Sequence, residues 1–266
     1  MYAQLNVSAT QRQGELRFGG NVLTNGASIT LPGDEYTLSG TVERVGGGLD
    51  RATRNVLITN VIDATDAKQI TPGDISSVAG YRTAAVERVT VYDTNNPDRK
   101  RVFMGLSLTT VQHTDRPQFG EMTVQRGNNV AVQTDAYRLV GQIQRTGALE
   151  QRGRVTTRTM TFRLAGVREG LANSIQPGLT ERGGEDTIVQ VTDVNWRLST
   201  ILIRGDDGSL GVFDHPTNRD VTITAQVQVR QTTDGVRVKG QPVRQGEQVT
   251  IDLGVTTIRP TVTGIQ

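Results

Sequence analysis

The sequence runs to 266 residues, enough for two or three domains, and sets 29 Lys and Arg against 27 Asp and Glu. A net charge of +2, scattered basic residues and only 4% aromatics argue against a nucleic-acid interface, which uses clustered cations and stacking rings. The absence of cysteine excludes thiol catalysis, disulfides and thiolate metal sites, and no apolar run approaches the roughly 18 residues of a membrane-spanning helix. The first residues carry no charged-then-apolar leader. Two readings follow: a cytosolic chain, or one whose targeting segment lies outside these residues.

Gly, Val, Thr and Ile in short alternating runs predict an all-β chain of tandem repeats, sandwich or small barrel, with short helical turns. Residues 1–46 read as the second half of a repeat unit. Phe18-Gly19, Gly26, Asp34, Tyr36, Leu38, Gly40 and Arg44 recur 101 residues later as Phe119-Gly120, Gly127, Asp135, Tyr137, Leu139, Gly141 and Arg145. Nothing in these residues corresponds to the front half of the first unit. Such a half-unit is expected to leave an edge strand open. It is read as a trimmed unit, as an extension packed on the second unit, or as one completed by a neighbouring subunit.

Residues 47–146 form a complete unit on this reading. Its expected parts are a strand over 54–58, a helical turn over 63–69, Ile70-Thr71-Pro72-Gly73, a strand over 86–92, the turn Asn95-Asn96-Pro97-Asp98 and a strand over 102–111. The 119–145 segment closes it. Gly26 and Gly127 are expected to turn the chain at positive φ, and Gly40 and Gly141 to mark a bulge or a close approach. Tyr36 and Tyr137 read as core rings with a satisfied hydroxyl.

Residues 147–266 repeat the order at a growing offset, with Ile175-Gln176-Pro177-Gly178 after Ile70-Thr71-Pro72-Gly73, and Pro216, Val221, Gly246 and Val249 each 119 residues after Pro97, Val102, Gly127 and Val130. The growth places an inserted hairpin near 199–213, with Asp207-Gly208 as its turn. Val221, Ile223, Ala225, Val227 and Val229 are expected to face the core of a long strand. Pro260 replaces the second repeated glycine, so the last strand is expected at a sheet edge.

Residues that carry chemistry are sparse. His113 and His215 occupy different repeat positions and read as loop or surface residues, and no metal-ligand spacing is present. The Asp93–Asp98 and Gly205–Gly208 stretches offer oxygen ligands for calcium, but Asp and Asn are ordinary turn formers. Gly46-Gly47-Gly48 lacks the Lys-Ser/Thr of a phosphate loop and reads as a linker. Asn6-Val7-Ser8 fits a glycosylation sequon. No catalytic residue, metal site or cofactor is expected. Trp196, beside the inserted hairpin, is either a core ring or a stacking platform for a sugar.

The order Ile-x-Pro-Gly, Val-Thr-rich strand, Phe-Gly, then Asp-x-Tyr-x-Leu-x-Gly resembles an uncharacterised domain-of-unknown-function family of haloarchaea with distant cyanobacterial members. The last unit carries the similarity best, in Asp214-His215-Pro216-Thr217-Asn218-Arg219-Asp220-Val221, Arg244-Gln245-Gly246-Glu247-Gln248-Val249 and Asp252-Leu253-Gly254-Val255-Thr256. The resemblance implies repeats outside the membrane on one N-terminal anchor that these residues do not include. The expected function is then a non-enzymatic structural or interaction module on the extracellular face of the cell membrane. Its partner would be another protein, or itself through the N-terminal half-unit. Lipid or other apolar-ligand transfer, and carbohydrate binding at Trp196, are the alternatives.

Overall fold

The computed structural model describes residues 4–32, 37–78, 80–113, 116–183, 186–204 and 209–266. The chain is all-β. Its first copy supplies β1 (Thr10–Arg12), β2 (Glu15–Phe18), β3 (Asn21–Val22), β4 (Ser28–Pro32) and β5 (Thr37–Thr41). The second supplies β6 (Arg51–Asp63), α1 (Ala64–Ala67), β7 (Ile75–Val78), β8 (Tyr81–Asp93), β9 (Arg99–His113), β10 (Arg116–Phe119), β11 (Met122–Thr123), β12 (Asn129–Gln133) and β13 (Arg138–Thr146). The third supplies β14 (Arg154–Arg168), α2 (Glu169–Ser174), β15 (Thr180–Gly183), β16 (Asp186–Arg204), β17 (Leu210–Thr232) and β18 (Gly235–Val238). It ends with β19 (Gln241–Pro242), β20 (Ile251–Asp252), β21 (Thr257–Ile258) and β22 (Thr261–Ile265).

The repeat is kept to the level of ladder register. Ile29 faces Gly40 in the first copy, Val130 faces Gly141 in the second, and the Val249 amide bonds the Pro260 carbonyl in the third. β13 pairs β6 as β22 pairs β14, and each ladder slips by one residue at the same place, after Ile143 and after Val262. A further shared bulge follows Val86 on β8 and Val191 on β16. A one-residue slip would turn every apolar side chain outward, so register is what the three copies must share.

Contacts divide the chain into two compact units. The first is Met1–Thr53 with Thr109–Val124, and the second is Arg54–Leu108 with Gln125–Gln266. In the first, β1-β2-β3 and β4-β5 form small separate sheets. No described residue from 4 to 50 is buried. Their counterparts in the second unit are: Val130, Val132 and Leu139 lie in its core, under β6. Among the described residues, β5 has no strand in the place of β6. Gly141 shows the same difference at one atom, since a Cβ there would sit 2.6 Å from Ile58 Cδ1, whereas one on Gly40 would meet nothing. The close approach expected of this glycine therefore holds only in the complete copy. Gly26 and Gly127 both turn at positive φ, +85° and +94°.

In the second unit, one sheet runs β9-β6-β13-β12 with β8 and β7 beyond β9, and another runs β15-β16-β17-β14-β22. Val221, Ile223, Ala225, Val227 and Val229 all point into the core, as the alternation requires. Leu57, Tyr92 and Phe103 from the first sheet join the core of the second. Tyr92 and Phe103 meet edge to face, with ring centroids 6.0 Å apart. β22 is the last named strand of its sheet but not the open edge expected, because the 246–249 segment pairs along its other side; the Pro260 carbonyl accepts the Val249 amide there and Pro260, having no N–H, returns no bond. Tyr137 is half-buried, not a core ring, but its hydroxyl donates to Asp74 Oδ2 at 2.7 Å. Tyr36, Asp34 and the Asp207-Gly208 turn lie outside the described residues.

Candidate functional site

Two features of the third copy have no counterpart in the second. The first is an arm. Beyond Leu198 on β16 and Arg219 on β17, the two strands continue as a two-stranded ribbon in which Ile201 faces Phe213, Leu202 faces Val212 and Ile203 faces Gly211. Neither β15, which pairs only to Gln190, nor β14, whose pairing with β17 begins at Asn218, accompanies it. Alternation puts Ile201, Ile203 and Phe213 on one face and Leu202, Leu210 and Val212 on the other. Leu202 is 72% exposed, and Ile203, Leu210, Val212 and Phe213 are exposed with it. Apolar side chains on both faces of a free ribbon are unusual, because an isolated hairpin is barely stable in water.

The root of the arm explains the Asp214–Val221 run. His215 Nδ1 accepts the backbone amides of Thr217 and Asn218 at 3.2 and 3.0 Å, which folds the extra residues of β17 into a tight bulge. Asp220 Oδ1 accepts from the Gly166 amide at 3.0 Å and from Ser199 Oγ at 2.8 Å, and these two residues sit in the bulges of β14 and β16. Its Oδ2 accepts from Arg163 at 2.7 Å. Burial opposes ionisation of Asp220, but these donors together hold its carboxyl below the usual value. One carboxylate therefore clamps both kinks from which the arm leaves the sheet.

Arg219 is buried and donates to Glu169 Oε1 at 2.9 Å, with its guanidinium 4.7 Å from the centre of the Trp196 ring. Nε and Nη1 of Arg219 find no acceptor, consistent with a cation lying on the ring. Trp196 itself is 52% exposed. It is not a core ring, and Arg219 occupies one of its faces.

The second feature is a buried ion cluster. Glu181 is 2% exposed and pairs with Lys239, which also donates to the Thr250 carbonyl at 2.7 Å. In the second copy these positions are Ser76 and Gly120. Lys239 keeps the left-handed backbone of that glycine, φ +51° against +61°, a conformation that strains any residue with a Cβ. Burial pushes the Glu181 carboxyl up to about 7 against the pull of Lys239. Asp93 lies beside it, and Lys100, opposite Asp93 in the ladder, pairs with it and helps to hold it ionised. Residues of the third copy thus form a salt cluster with the tip of the β8–β9 hairpin. Asn95 of that tip completes the dock, accepting from Thr250 Oγ1 and Arg259.

A cleft of about 720 Å³ opens beside the cluster, lined by Asp93, Asn95, Arg99, Arg101, Lys239 and Thr250 among others. The Asp93–Asp98 stretch is built as a turn: Asn96 Oδ1 accepts the Asp98 amide at 2.9 Å and Thr94 Oγ1 donates to the Asn96 carbonyl at 2.8 Å. Among the described residues no group of three or more His, Asp and Glu is arranged to hold a metal ion. Gly205–Gly208 falls outside them, and of His113 only the backbone, in β9, is described.

Composition and spacing did not reveal Glu181, Lys239 or Asp220 as partners. The signal was present in the repeat: a lysine at a glycine position and a glutamate at a serine position, both only in the third copy. Residues 149–266 match DUF4330, a domain of unknown function. The DUF4330 segment takes in β14 to β22, and with them the arm, its root, Glu181 and Lys239. Asp93 and Lys100 lie before it. No curated protein and no solved structure matches the chain.

Proposed function

We propose that this chain is a non-enzymatic interaction module of the cell envelope and that the arm is its contact surface. The observation that carries this reading is the two-faced apolar ribbon at 200–214, exposed on both sides. The hairpin in the same repeat position of the second copy, β8–β9, has a short tip docked on Thr250 and Arg259. The third copy extends that hairpin into a longer ribbon whose described residues, 201–204 and 210–213, are mostly apolar and exposed. The envelope setting, a membrane anchor and haloarchaeal relatives rest on the family resemblance. The cleft beside the ion cluster has Asp93, Arg99, Arg101 and Lys239 on its walls, which favours an apolar-ligand carrier less.

Light scattering across a concentration series tests the reading on the full chain and on a variant with 200–214 replaced by Asn-Gly. A mass that rises with concentration in the full chain and stays monomeric in the variant is expected. Equal masses at every concentration would remove the arm as a contact surface. Sugar binding is a second reading, favoured by the free face of Trp196. As Trp196 is the sole tryptophan, its fluorescence under glycan titration decides that question directly.

A further inference from the structure

The arm's two edges point to its partner, on the reading that the arm is a contact surface. The outer edge of β17 is guarded: Asp214 and Pro216 lie along it, and the Phe213 ring folds over Gly211, where an added Cβ would be 2.4 Å from it. Charge and proline are the usual means of keeping a strand edge from pairing. The outer edge of β16 has neither. Thr200-Ile201-Leu202-Ile203 carries no charge, proline or glycine before Arg204. Among the described residues, its backbone groups facing away from β17 have no strand partner. A short, β-prone apolar run on an open edge is a template for another strand.

We infer that two copies of the chain pair through this edge of β16, antiparallel and two-fold about Leu202, to join two arms into a four-stranded ribbon. In that register Leu202 faces Leu202, Ile201 faces Ile203 and Thr200 faces Arg204, so no like charges oppose one another. A parallel pairing would set Arg204 beside Arg204. The two-fold also extends both apolar faces, with Ile201, Ile203 and Phe213 continuous on one and Leu202, Leu210 and Val212 on the other. A two-fold contact closes on itself, and the product is a dimer.

The chain has no cysteine, so a single introduced thiol reports the pairing cleanly. Leu202→Cys should form a disulfide-linked dimer under mild oxidation, because facing Cα atoms in an antiparallel ladder lie about 4.5–5.5 Å apart, within disulfide reach. Val212→Cys, one strand further out on each arm, places its thiols roughly 14 Å apart. It should cross-link slower by at least about tenfold. Ile203→Lys should return the light-scattering mass to that of a monomer, with circular dichroism unchanged in all three variants. Arm-dependent association with no Leu202→Cys cross-link, or with Val212→Cys as fast, overturns the edge pairing and leaves the arm as contact surface. A wild-type chain that stays monomeric at every concentration overturns both.

Discussion

Replacing Lys239 with glycine restores the residue that the second copy carries at this position and removes the one cation paired to Glu181 among the described residues. Two effects oppose each other. Relief of the left-handed backbone at φ +51° returns about 1 kcal/mol. Leaving a buried carboxylate without its partner costs about 3–5 kcal/mol. The expected net loss is roughly 2–4 kcal/mol at pH 8, where Glu181, held at about 7, is ionised. Because its folded value lies above the ordinary 4.5, the stability Glu181 contributes is complete below 4.5 and is lost as pH rises through about 7. The deficit of Lys239→Gly should therefore shrink at pH 5, where the buried carboxyl is neutral. Adding Glu181→Ser, the other second-copy residue, should recover most of the loss, giving a coupling energy of about 2 kcal/mol. Urea unfolding followed by circular dichroism at both pH values measures all four members of the cycle. A Lys239→Gly variant as stable as wild type at pH 8, or a deficit equal at both pH values, would refute the coupling.

Four further substitutions test other parts of the frame. Asp220→Ala frees both bulges at the root of the arm and should cost about 2–3 kcal/mol, with faster hydrogen exchange at the Gly166 amide. Because the Asp220 carboxyl is held below its ordinary 3.8, the clamp is complete above that value and is lost as the folded group titrates in acid. Tyr137→Phe removes one donor to Asp74 and should cost about 1.5–3 kcal/mol while raising the Asp74 pKa, which a carboxylate NMR titration reads. Gly141→Ala presses on Ile58 and should lose about 1–3 kcal/mol, whereas Gly40→Ala should be neutral or gain up to about 1 kcal/mol, both read by thermal unfolding.

The offsets of 101 and 119 residues fixed which positions correspond between copies, but not the strand order, which depends on pairings between segments far apart in sequence such as β13 with β6. The alternation of Val221 to Val229 fixed one core strand unaided. The insertion at 199–213 was readable as length alone. Its exposure on both faces was not, because Ile-Leu-Ile looks the same in a core strand as on a free ribbon. Trp196 was ambiguous for a related reason. It stands on β16 just before the ribbon leaves the sheet, where Arg219 covers one face of the ring and the residue stays 52% exposed. The Glu181–Lys239 pair joins strands far apart in sequence, and neither residue has a local motif. Only comparison of the third copy with the second, position by position, isolates it.

That comparison separates the two uses of one hairpin. In the second copy Asp93 and Lys100 face each other at its end, and in the third Leu198 and Arg219 hold the same ladder position. The second copy keeps its ion pair and gives it a buried partner, Glu181 with Lys239, on the next repeat. The third copy loses the acid, turns its cation onto Trp196 and Glu169, and extends the strands beyond it by some fourteen residues. Clamping by Asp220 aims that extension and does not shorten it. A hairpin that only closed a sheet would need neither the clamp nor apolar residues on two faces. The positions at which the third copy departs from the second are therefore of two kinds: inward at Glu181 and Lys239, where they form an ion pair, and outward along the arm, where they expose apolar side chains.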